Sequence, residues 1–187
     1  MIIESRLTDF PPARLRAILA DLPPARGYRL VVKPLRYRTR PHLQALCDYD
    51  RRTITVQVPE PFRPWVDRIP YRAQRLRGRA ARGRPFAFRW FYRTVRFRTK
   101  TEVIRFLYCH EYYHHYMHDV LGRKGAAETA CDRFALQHFR KRPGSQGTGP
   151  ARVRPPRRDT PRPRHGRAAA RAAAGVPPPP GPARRGA

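Results

Sequence analysis

His110, Glu111 and His114 stand as H-E-x-x-H inside Thr99–Leu121, which reads TKTEVIRFLYCHEYYHHYMHDVL. On an α-helix, residues i and i+4 share a face, so the two imidazoles can hold one zinc ion. Glu111 is rotated one residue from His110, where a carboxylate works as general base on metal-bound water. The chemistry this predicts is hydrolysis of a peptide bond. A hydrolytic zinc takes three protein ligands and keeps one position open, so a third ligand must come from elsewhere. Glu128 and Asp132, four apart in GAAETACDRFAL, are the candidates.

The element that carries the pair reads as a helix on independent grounds. Thr99 with Glu102 three residues on forms a capping box, and Gly122 is placed to end the helix. Val103, Leu107, His110, His114, Met117 and Leu121 fall on one helical stripe, which puts both histidines on the core-facing side. The surroundings are uncharged or apolar: Leu107, Tyr108, Cys109, Tyr112, Tyr113 and Tyr116. His118 stands about 12 Å along the axis from His110, too far to share its zinc on a straight helix. His115 and His118 are therefore expected on the polar face or supporting the ligands, and His138 in packing. Glu128 and Asp132 sit on a second helix whose apolar side is Cys131, Phe134, Ala135 and His138.

With H-E-x-x-H followed by E-x-x-x-D-x-F-A, the chain resembles the gluzincin clan, most nearly its compact single-domain members. The resemblance implies an α+β, zincin-like fold and a zinc metallopeptidase. Its ligands would be His110, His114 and Glu128, its general base Glu111, and Asp132 would orient His110. A ligating imidazole does usually give its other N–H to a carboxylate. The connection Gly122–Gly125 is short, and an antiparallel return over it would set Asp132, rather than Glu128, level with His114. An alternative is a SprT-like protease acting on DNA-bound protein. That family uses a third histidine, which here would be His118 or His138. A third reading, without catalysis, is a basic nucleic-acid-binding protein with a structural zinc site.

The elements that must position these residues precede them. An amphipathic helix is expected over Pro12–Leu22, with Leu15, Ile18, Leu19 and Leu22 inward and Arg14, Arg16 and Asp21 solvated. Period-two patterning then predicts three strands, Tyr28–Tyr37, His42–Tyr49 and Thr53–Val58, with a hairpin turn over Asp48–Arg52. In zincins an edge strand here pairs with an extended peptide substrate, a general mode of peptide binding. Pro59–Pro70 reads as an extended connection, and Tyr71–Arg84, with six arginines and no acid, as a basic insertion in a helix or loop. Pro85–Thr99 alternates aromatic residues with arginine and reads as a half-buried strand or hairpin. Its aromatics are expected in the core; the same interleaving also suits stacking on single-stranded nucleic acid.

Composition sets the outer bounds. The 187 residues carry a net charge of +28 and a pI of about 11.6. Lysine occurs only as Lys33, Lys100, Lys124 and Lys141. That arginine bias, with abundant Ala, Pro and Gly, fits GC-rich coding as well as it fits phosphate binding. Non-specific adherence to nucleic acid that weakens with salt is expected. Three cysteines, Cys47, Cys109 and Cys131, are odd in number and widely spaced, which argues against a disulfide framework. With no signal-like start and no apolar run of membrane length, the expectation is a cytoplasmic protein without a membrane partner. One catalytic domain over 1–142 is expected, followed by a disordered Arg/Pro/Ala/Gly-rich tail over 143–187.

Overall fold

A computed structural model describes residues 1–76, 87–123 and 128–140. The basic stretch 77–84 and the tail 143–187 lie outside the described residues, as do the residues 124–127 that join the last two helices. The described part is α+β.

β1 (Ile2–Ser5), β2 (Arg29–Leu35), β3 (Gln44–Asp48) and β4 (Thr53–Pro59) form a mixed sheet in the order β1-β2-β4-β3. β1, β2 and β4 run parallel, and β3 returns antiparallel to β4. α1 (Pro12–Leu19) forms the crossover between β1 and β2, as a parallel pair requires. The alternation in the sequence is realised as burial: Leu30 and Val32 of β2 and Ile54, Val56 and Val58 of β4 are fully enclosed. A turn at 49–52 joins β3 to β4, with Arg52 at φ 46° and the Asp48 carboxylate accepting from the Arg51 N–H at 2.9 Å. β3 is one of the sheet's two edges, and α2 (Lys100–His115) packs on β3 and β4.

The sheet has four strands, not three. Ile2–Ser5 is too short to show a period, and its pairing with β2 is a long-range contact that local pattern does not encode. The larger correction lies between residues 59 and 97. A second, two-stranded antiparallel ribbon pairs β5 (Trp65–Leu76) with β6 (Ala87–Phe97), irregular at Pro70/Arg72. β5 takes up the second half of the expected connection and the first six residues of the expected basic insertion. Its prolines suggested broken chain, but Pro70 sits at the irregularity, where a missing N–H is tolerated. Only the base of the ribbon enters the core, through Ile69, Val95 and Phe97; Phe88, Trp90 and Tyr92 are exposed rather than buried.

α1 ends at Leu19, one turn early, though Leu22 remains buried. Asp21 is not on a solvated face. It forms a bidentate pair with Arg105 of α2 at 2.6 and 2.8 Å. Buried Arg105 also donates to the Phe139 carbonyl at 2.7 Å and to the Ile18 carbonyl, tying the end of α1, α2 and the end of α3 (Glu128–His138) together. Hydrogen bonds from Arg105 hold the Asp21 carboxyl below the usual carboxylate range. Cys47, Cys109 and Cys131 are buried and unbridged. Among the described residues, no helix is long and apolar enough to cross a membrane.

Candidate metal centre

α2 starts as its capping residues predict. The Thr99 hydroxyl accepts the Glu102 N–H at 3.2 Å, and the Glu102 carboxylate reaches back to the Arg98 N–H at 2.6 Å. The helix stays regular through both motif histidines and then widens into a π-turn over Tyr116–Val120. Gly122 closes it at φ 61°, while the Arg123 N–H bonds back to the Met117 carbonyl at 2.9 Å. The widening turns Leu121 out of the apolar stripe, and it is exposed.

One helical turn brings the His110 and His114 Nε2 atoms to 3.1 Å from each other. Glu128, first residue of α3, faces both: its carboxylate oxygens lie 3.3 Å from His110 Nε2 and 3.5 Å from His114 Nε2. Asp132, one turn further along α3, accepts from His110 Nδ1 at 2.9 Å. Asp132 therefore meets the far side of the His110 ring, and Glu128, rather than Asp132, meets the two Nε2 atoms. The Glu128 side chain, 68% exposed, crosses to the histidines from the solvent side.

These distances test whether the residues suit zinc. Donors about 2.0–2.2 Å from a tetrahedral ion are separated from one another by about 3.3–3.6 Å, by simple geometry. One Glu128 oxygen at 3.3 Å from His110 Nε2 and the other at 3.5 Å from His114 Nε2 fall in that range, and the 3.1 Å between the two Nε2 atoms lies just below it. A second triad also meets a looser criterion. The donor atoms of His110, His114 and Cys131 all lie within 4.8 Å of one another, so these three could hold a metal ion. Sequence reasoning placed Cys131 in the packing. The signal for it was its position between Glu128 and Asp132 on the same turn of α3.

Electrostatics follow from burial and crowding. Burial pulls the His110 imidazole down, but hydrogen bonds to Asp132 and Glu128 outweigh it and hold the ring at about 9. Burial and the neighbouring His110 charge push His114 down. The hydrogen bond with His110 keeps Glu128 below the ordinary carboxylate range. Glu111 is 6% exposed, and its carboxyl is raised to about 7 by burial, against the pull of His110. The Cys131 thiol is pushed up by burial and by Glu128, so it stays protonated unless a metal displaces the proton.

A cleft of about 430 Å³ opens onto these groups. One wall is β3 with the residues just before it, Leu43–Cys47, joined by Tyr49; the other is α2 and α3. The Cys47 thiol, on that wall, is raised to about 12 by burial. Tyr49 was not singled out from the sequence. Its phenol is raised to about 12 by burial and nearby acidic groups, and its ring stacks on His118 at 4.0 Å.

The other histidines lie elsewhere. His115 is buried rather than on the polar face: its ring meets Tyr28 at 4.5 Å and its Nδ1 meets Asp119 at 3.1 Å. Exposed His118 bonds to Asp119 at 2.6 Å. His138 donates to the Phe134 carbonyl at 2.7 Å and stacks on the Phe134 ring. Neither His118 nor His138 belongs to the group of donors around His110 and His114. Comparison of the chain with known protein families, with curated proteins and with solved structures finds no match.

Proposed function

We propose that the chain is a zinc-dependent peptidase of zincin-like design, with His110, His114 and Glu128 as metal ligands and Glu111 as general base. The observation that carries the proposal is the convergence of three donor groups at tetrahedral-edge separations beside a buried glutamate, at the floor of an open cleft. Zinc held by these residues would lower the pKa of water toward 7 and polarise a carbonyl. Glu111 accepts the proton of the attacking water, a task suited to a carboxyl poised near neutrality. It then returns that proton to the leaving amine. Asp132 fixes the His110 ring and its tautomer. β3, an edge strand of the sheet and one wall of the cleft, offers backbone groups to an extended peptide.

The test is Glu111→Gln, assayed on an unfolded protein substrate with zinc supplied. Cleavage lost while metal content stays at the parent level is the expected result; unchanged cleavage refutes the role. A second reading has one observation in its favour, the proximity of Cys131 to both histidines. If Cys131 joins Glu128 as a ligand, the metal has four protein ligands, and closed sites of that kind are structural. Zinc lost or weakened in Cys131→Ala as well as in Glu128→Ala would favour it.

A further inference from the structure

The β5–β6 ribbon carries a feature that peptide hydrolysis does not use. Phe88, Trp90 and Tyr92, alternating along β6, point to one face and are 46, 47 and 46% exposed. Residues two apart on a strand stand about 6.7 Å from each other, so the three rings form a regular row. Across the ribbon, Arg75 pairs with Phe88 in register, and the Arg68 guanidinium lies 4.7 Å from the centre of the Tyr92 ring. Arg96 extends the same face toward α2. Of the six arginines on the two strands, Arg68, Arg75 and Arg96 lie on this face, and the one acid, Asp67, pairs with Val95 on the opposite face.

Isolated exposed apolar residues are ordinary, but a row of three aromatics on a long ribbon exposes ring faces at a cost in water. An all-cationic rim selects a polyanion as the occupant. Ring faces in a row select one whose bases are free to stack, which a duplex does not offer. We propose that this face of the ribbon binds single-stranded nucleic acid, with the bases on Phe88, Trp90 and Tyr92 and the phosphates on the flanking arginines. The binding is sequence-tolerant, because every base has a ring face and the row includes no side-chain amide or carboxylate to read base edges.

The experiment measures anisotropy of a labelled oligodeoxythymidylate with the full chain, the Trp90→Ala and Tyr92→Ala variants, and Trp90→Phe. None of these changes the net charge, so attraction by the arginine-rich remainder of the chain is constant across the series. Each alanine variant should weaken binding by about 5- to 100-fold, the range for loss of one base–aromatic stack. Trp90→Phe should restore most of it. Thermal unfolding of each variant should match the parent, because the rings are exposed. Parent-like affinity in both alanine variants overturns the proposal. So does an equal loss on a duplex of the same length, or binding to anionic phosphatidylserine vesicles that oligonucleotide fails to displace.

Discussion

Removing the Arg105 guanidinium should destabilise the protein more than any exposed charge change, because three elements converge on it. Arg105→Met keeps the aliphatic stem but strands the Asp21 carboxylate and the carbonyls of Ile18 and Phe139. The two side chains of the pair are only 7 and 15% exposed, so water replaces the lost bonds poorly. Removing one partner of a buried pair costs about 3–5 kcal/mol. The lower end is appropriate here, since the Asp21 side chain keeps 15% exposure to solvent. At that value Tm should fall by roughly 10 °C for a folded part of this size. The acid limb supplies a second readout. Because Asp21 titrates below its ordinary value when folded, its contribution is present above the unfolded pKa of about 4 and is lost as pH falls through the folded pKa. Parent stability should therefore drop below about pH 4, and Arg105→Met should show a shallower drop over that window. Urea unfolding at neutral pH decides the matter: a loss under about 1 kcal/mol would refute the picture of Arg105 as the tie between α1, α2 and α3.

Asp132→Ala should lower zinc affinity by about 10- to 100-fold, and Asp132→Asn by less, since an amide oxygen can still accept from His110 Nδ1. Competition with a chromogenic chelator measures both. Tyr108→Phe should cost about 1–3 kcal/mol in urea unfolding, because the buried hydroxyl accepts the Ala25 N–H at 3.1 Å and donates to the Pro23 carbonyl at 2.9 Å. Glu111→Gln should leave the unfolding midpoint near that of the parent or above it, since it removes an ionisable group from a buried position.

What could be read in advance was whatever local pattern encodes. The capping pair Thr99 and Glu102, the helical stripe through His110 and His114, and Gly122 at its end are all local, and each stands where its residue type predicts. The same holds for the period-two burial of β2 and β4 and the turn at 49–52. Three kinds of fact were not local. β1 exists because β2 offers it an edge. The ribbon β5–β6 pairs residues across a basic stretch whose composition suggested surface loop or helix, and exposed Phe88, Trp90 and Tyr92 defeat the rule that aromatics fill cores. Asp21 reads as a solvated anion until its 84-residue separation from Arg105 is closed in space. At the site, spacing along one helix put His110 beside His114, but how α3 approaches α2 decided which carboxylate meets which nitrogen. A flat antiparallel return set Asp132 level with His114; in the fold it is Glu128 that spans both Nε2 atoms.

The central claim is a zinc ion held by His110, His114 and Glu128, and its most direct test is metal content per chain on protein purified without added metal. About one zinc per parent chain is predicted, lost in His114→Ala and reduced in Glu128→Ala, but kept in Cys131→Ala. A parent chain that holds no metal even after zinc is offered, or a His114→Ala variant that keeps it, would contradict the account.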